Sequence, residues 1–268
     1  MTRDEIIISA EQFTEKASGN YINSKTALSE NYVGIKIFDP PIFAFGYAND
    51  ELYETYKSNE IIGEHFISPL EWLSAAKTII SFFLPFTDKI KLANGQSRNW
   101  PDELWLHGRF EGQMFLKELS IHIQLFLSDA GYNSLIPSFE KRFKTGSGEN
   151  KFTSNWSERH VAYACGLGTF GLSKGLITEK GVCGRFGSIL TELDLPKDKR
   201  PYKNVCEYCT MCGACIAYCP VNAISTEGKD DSLCSAFLGK VLEKHKPRYG
   251  CGKCQVNIPC ESRAPGMV

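Results

Sequence analysis

Eleven cysteines stand in this 268-residue chain, and eight of them fall between Cys206 and Cys254. The densest run is Cys209-Thr-Met-Cys212-Gly-Ala-Cys215-Ile-Ala-Tyr-Cys219-Pro220. Gaps of two and three residues make a poor disulfide framework, because pairing such close neighbours closes small, strained loops. They suit thiolates that converge on a metal centre. In the pattern C-x2-C-x2-C-x3-C-P, three close thiolates wrap one face of a [4Fe–4S] cubane, and the fourth, marked by proline, ligates another cluster. A second group of three is then required. Cys234, Cys251 and Cys254 supply it, and Cys260 is left to close the first set.

The expected ligands are therefore Cys209, Cys212, Cys215 and Cys260 for one cluster, and Cys219, Cys234, Cys251 and Cys254 for the other. Cys206 is an alternative to Cys260. Structural zinc also uses C-x2-C pairs, but four ligands per site give it no use for the x3-C-P element. Cys165 and Cys183 lie outside the module and read as buried free thiols. Two clusters in one small ferredoxin-like module form a wire, so moving electrons is the expected task.

A second motif precedes the cysteines: Asn155-Trp-Ser-Glu-Arg-His-Val-Ala-Tyr-Ala-Cys-Gly-Leu-Gly-Thr-Phe-Gly-Leu-Ser173. It contains Gly166-x-Gly168-x-x-Gly171, formally the dinucleotide fingerprint. That turn should follow a strand and open a helix, whereas these glycines follow a helical segment. They fit better as a tight turn that lets backbone approach a flat cofactor or a cluster. A Gly-rich connection without a ligand is the plainer alternative.

The elements that must position these groups are those of a mixed α/β chain. Tyr32 to Phe38 alternates like a strand, and Thr78 to Phe86 is an apolar run too short to span a membrane, hence a buried strand. Ser68 followed by Pro69 starts a helix over 68–76. Phe110 to Ala130 has the apolar spacing of an amphipathic helix (Met114, Phe115, Leu119, Ile123, Phe126, Leu127), ending at Gly131. Asn155 and Glu158 have capping-box spacing for a helix to about Cys165, and a strand is expected from Gly187. The proline-containing, charged stretch around 193–203 divides the chain into an α/β cofactor or substrate domain, 1–202, and an iron–sulfur domain, 203–268.

Formal net charge is −1, which gives no bulk electrostatic case for nucleic acid or an anionic membrane as partner. The N-terminal residues show no long apolar signal segment, so the cytoplasm is the default location. The thiols imply a reducing, low-oxygen setting.

The order Glu158-Arg159, Gly166-Leu167-Gly168, Gly187-Ser188 to Leu195-Pro196, and then the cysteine run ending in Gly250-Cys251-x-x-Cys254-Gln255 resembles the epoxyqueuosine reductase family, itself related to the corrinoid reductive dehalogenases. The resemblance covers roughly residues 70 to 260. It implies an oxidoreductase with a nitroreductase-like α/β core followed by a two-cluster ferredoxin-like domain. One cluster would reduce a cobalamin, with flavin or no further cofactor as alternatives. An electron donor such as ferredoxin or flavodoxin would feed the clusters, and a small molecule or a corrinoid protein would be the substrate.

On the helix where the family places its active site, His107, Arg109 and Glu111 are the candidate catalytic residues. Arg109 would hold an anion, and His107 or Glu111 would supply a proton. Arg109 and Glu111 are two apart and do not share a helix face. Arg159, which matches a family arginine, His160 and the three glycines are the candidate cofactor contacts. An ion pair of Arg159 with Glu158 is the structural alternative. The sequence departs from the family at Phe110-Glu111-Gly112, in lacking an acid near Phe152, and in the spacing from Cys254 to Cys260. The C-terminal extension of longer members does not follow Val268. A divergent reductase is therefore expected rather than epoxyqueuosine reduction itself. A ferredoxin-like carrier or activator whose first domain only docks a partner is the alternative.

Overall fold

The computed structural model describes residues 1–147 and 150–267. Helix α1 (Arg3–Lys16) opens with a capping box between Thr2 and Glu5. Strand β1 (Ile42–Tyr47) follows, then the short helices α2 (Leu52–Thr55) and α3 (Pro69–Trp72), strand β2 (Thr78–Pro85), helix α4 (Asp88–Gln96) and the long helix α5 (Glu103–Asp129). Strand β3 (Ser134–Leu135), a hairpin of β4 (Thr145–Ser147) and β5 (Asn150–Ser154), helix α6 (Glu158–Cys165), a hairpin of β6 (Gly168–Phe170) and β7 (Leu176–Thr178), and strand β8 (Gly184–Thr191) complete the core. The cysteine-rich part holds α7 (Ala214–Ala217), a small β9 (Ile224–Ser225) and β10 (Gly228–Lys229) ribbon, and α8 (Asp231–His245). Among the described residues no helix is long and apolar enough to cross a membrane.

The main sheet has the order β1-β2-β8-β3, antiparallel throughout. All eight residues of β2 are buried, so both faces of the sheet are covered. Side chains alternate across a strand: Ile80, Phe82 and Leu84 pack beneath α5 and α1, whereas Ile79, with Ala44 and Leu190, packs beneath α6.

Several expected elements shift. The strand expected at 32–38 does not form. Ser29 caps a 3-10 turn at Glu30–Tyr32, Gly34 takes φ +77°, and only single bridges join Lys36 to Tyr21 and Phe38 to Phe86. The edge strand comes after the two prolines instead. Helix α3 stops at Trp72 because Leu73 is extended, with Arg142 donating to the freed carbonyls of Glu71 and Trp72. Helix α5 begins earlier than expected, at Glu103, where the Asp102 carboxylate accepts from the Leu104 amide at 2.8 Å. Its residue Met114 is 55% exposed and stands outside the core stripe. Ser157, not Asn155, precedes α6; the Asn155 side chain instead joins Lys144 and Arg142 across the β4–β5 hairpin.

Candidate iron–sulfur site and adjoining cavity

The backbone of the cysteine run turns left-handed at Met211 and Gly213, φ +52° and +73°. Cys209, Cys212, Cys215 and Cys260 line one cavity of about 380 Å³. Gly171 forms part of its wall: a Cβ there would sit 3.6 Å from the Cys209 sulfur and 3.1 Å from Ile177. Cys206 is exposed and is not among the residues of that wall. Cys219, Cys234, Cys251 and Cys254 line a second, open cavity of about 880 Å³.

Burial opposes ionisation of the free thiols at Cys215, Cys251, Cys254 and Cys260. Burial pushes Cys260 up to about 12, and thiolates at Cys209, Cys215 and Cys212 would push it further. Burial likewise lifts Cys254 to about 12; Lys229 counters this, while Cys251, Cys234 and Cys219 add to it. The cysteines that act on Cys215 and Cys260 belong to the first set and those that act on Cys251 and Cys254 to the second, while Cys206 also lies within reach of Cys209. Iron ligation requires the thiolate and supplies the positive charge that holds it deprotonated. Among the described residues no three histidine, cysteine or acidic side chains converge as a single metal ion would require. A cubane makes no such demand, since each cysteine binds its own iron. Two sets of four thiols around two cavities fit two cubanes.

The second cysteine loop is fixed to the core by buried polar contacts. Lys253 is fully buried, and its ammonium donates to Asn94 O at 2.5 Å, Asn94 Oδ1 at 3.2 Å and Ser97 O at 2.6 Å, closing the C-terminal end of α4. Asn94 Nδ2 donates to Cys251 O at 3.0 Å. Arg248 donates to both carboxylate oxygens of Glu111 and to Thr26 O. The segment carrying Cys260 runs beside the start of β8: the Val182 amide donates to Cys260 O at 2.9 Å, and the Cys183 thiol to Gln255 O at 2.8 Å. Cys183 and Cys165 are both buried free thiols, as expected.

Of the three candidates on α5, Arg109 alone lines the second cavity, stacked over Tyr249 at 5.0 Å in space left by Gly250. His107 is fully buried; its Nε2 accepts from the Leu28 amide at 3.1 Å, which places the ring proton on Nδ1. That nitrogen stands 3.1 Å from the Glu111 carboxylate without the alignment of a full hydrogen bond. Burial alone would raise the Glu111 carboxyl, but His107 and Arg248 outweigh it and hold it below its ordinary value. His107 and Glu111 thus belong to a network that ties α5 to the residues before Cys251.

Arg159 is half-buried, donates to Lys174 O, and has Asp231 and Arg109 as charged neighbours, with the Cys254 thiol also close. Glu158 is not its partner. The Glu158 carboxylate accepts from Ser188 at 2.6 Å, and burial without a cation raises it to about 8. His160 meets Ser157 Oγ at 2.8 Å and packs on Tyr56 and Phe170; burial, then Arg159, pushes it down to about 4. Of the three glycines, Gly166 ends α6 at φ +100°, and Gly168 lets β6 pass close to Ile177 of β7. Only Gly171 touches a cysteine cavity. Arg185, Lys229 and Trp105, which also line the second cavity, carried no sequence signal, because a strand start, a turn and a helix interior explain them equally well.

A 4Fe–4S binding domain matches residues 207–225, which hold Cys209 to Cys219. Epoxyqueuosine reductase of Bacillus cereus is 29% identical over 203 residues, covering 72% of this chain and 50% of that protein. The chain is a relative of the epoxyqueuosine reductases. It spans about half the length of that curated relative. Tetrachloroethene reductive dehalogenase of Dehalobacter restrictus is 40% identical over 99 residues, 34% of this chain and 18% of the dehalogenase. An epoxyqueuosine reductase solved with an epoxyqueuosine-modified tRNA-Tyr stem loop superposes with a TM-score of 0.56 at 18% identity, covering 97% of this chain and 65% of that one. At that identity the likeness is one of fold.

Proposed function

We propose that this chain is an iron–sulfur reductase that passes electrons through two [4Fe–4S] clusters to an acceptor seated in the second cavity. One observation carries the reading: Cys219, the last member of the sequence run, lines a different cavity from Cys209, Cys212 and Cys215, as a two-cluster module requires. The first set lies nearer solvent, with Cys212 exposed beside exposed Met211. A one-electron donor of the ferredoxin or flavodoxin class would deliver there. The second set faces the core wall formed by Phe86, Trp105, Arg109 and Arg185. A two-electron reduction takes two such passages, with protons drawn from water. In the proposed division, residues 1–202 supply a nitroreductase-like core and 203–268 the clusters.

The open space on the core side favours a reductase over a carrier, which needs no seat for an acceptor. That space is shared with the cubane, and much of its 880 Å³ is open solvent. The enclosed part is about 200 Å³, less than a drug-sized ligand fills, so an acceptor there is small or enters from the open side. A complete corrinoid is larger than that enclosed part, so none is seated within it beside the cubane, and no step here runs through cobalt. The test is Cys219→Ala in protein reconstituted without oxygen. About four irons should remain per chain, giving the signal of one isolated reduced cluster. Retention of both clusters, or loss of both, contradicts the crossed ligand sets.

A further inference from the structure

The second cavity gathers cations that form no salt bridge among the described residues. Arg109, Arg185 and Lys229 line it, and Arg159 lies beside Arg109. The contacts these groups make are to neutral atoms. Arg185 donates to the Gln113 side chain, Arg159 to Lys174 O, Arg109 stacks on Tyr249 and Lys229 lies over Phe152. The acid that acts on Arg159, Asp231, is bonded to Lys174 at 3.0 Å. Two buried donors on the same wall have no partner among the described residues: Arg185 Nε and the indole Nε1 of Trp105, a side chain only 1% exposed. Unpaired buried donors and desolvated guanidiniums are both costly unless an acceptor joins them.

We propose that this cavity binds a small organic anion, its carboxylate or phosphate held by Arg109, Arg185 and Lys229, beside the second cluster. The inference rests on the reductase reading and names the class of acceptor that such a reductase would take. The paired donors of a guanidinium match an oxyanion. The competing use of the same cations is to offset the negative charge of the cluster itself, and the two uses separate experimentally.

The experiment is calorimetric titration of cluster-loaded protein, without oxygen, with benzoate and with phenyl phosphate, using uncharged benzamide as control. Saturable binding of at least one anion and none of benzamide is expected. Affinity should fall at least about tenfold in Arg109→Gln and in Arg185→Gln, with iron content unchanged, and should weaken with added salt. Arg109→Lys and Arg185→Lys, which keep the charge without the fork, should lie between. No saturable anion binding, or equal affinity in the glutamine variants, overturns the proposal. A shift of cluster midpoint potential in those variants without any anion binding assigns the cations to the cluster. Iron counted on the same samples tests the reductase reading separately: a chain that lacks the second cluster yet binds the anions defeats that reading and not this site.

Discussion

Replacing Arg248 by methionine removes the cation from a buried pair and leaves the Glu111 carboxylate behind. The two side chains are 9% and 11% exposed, and Arg248 donates to both carboxylate oxygens. Methionine fills most of the volume, so the loss is mainly electrostatic. Breaking a buried pair from one side costs about 3–5 kcal/mol, because an uncompensated charge remains. At roughly 2–4 °C per kcal/mol for a chain of this size, the melting temperature should fall by about 6–20 °C. The damage should be local as well, since Arg248 stands three residues before Cys251 and also donates to Thr26 O. Iron held by the second set should then pass to a chelator faster than in the parent, while the first set keeps its own.

Thermal melts of the loaded protein and chelator kinetics read both effects. The double variant Glu111→Gln, Arg248→Met should lose less than the sum of the singles, because no unpaired charge is left. The pair also sets a pH dependence. Glu111 is held below its ordinary value in the folded chain, so its contribution is complete above the unfolded value and is lost as pH falls through the folded one. A drop of less than about 1 kcal/mol in Arg248→Met, with unchanged iron release, would refute the assignment of this pair as the anchor of the loop.

Further outcomes follow from the same geometry. Cys260→Ala should leave one cluster intact and labile iron in the other, whereas Cys206→Ala should leave the iron count unchanged; the reverse result would exchange their roles. Glu158, raised to about 8 from an ordinary 4.5, stays protonated in the folded chain over a range where the unfolded chain ionises. Folding is therefore penalised progressively as pH rises from about 4 to 8, and Glu158→Gln should gain stability relative to the parent over that interval. Parallel melts at pH 5 and pH 8 that keep a constant difference would show that this carboxyl is not the buried acid inferred here.

That Cys209, Cys212 and Cys215 would line one cavity and Cys219 another was legible because their spacing is local: a short run must curl to bring its thiols together, and proline marks the one that leaves. The buried strand at 78–86 and the stripe of Phe115, Leu119 and Ile123 were legible for the same reason, a period matched to a face. Tyr32–Phe38 misled because alternation alone does not weigh Gly34 or the Ser29 cap. The residues that complete the second cavity were hidden for a different reason. Arg109, Arg185 and Lys229 come from a helix, a strand and a ribbon, and nothing local in the sequence records that the chain brings them together. His107 and Glu111 read as catalytic by position on the helix, yet their partner Arg248 lies 137 residues beyond Glu111.

Two cubanes in one chain are tested most directly by iron, acid-labile sulfide, zinc and cobalt per chain in protein prepared without oxygen from a host supplied with cobalamin. About eight irons and eight sulfides, with neither zinc nor cobalt in stoichiometric amount, is the predicted result. Four irons or fewer after full reconstitution, or zinc in their place, would contradict the two-cluster assignment, and one cobalt per chain would contradict the exclusion of a corrinoid from the second cavity.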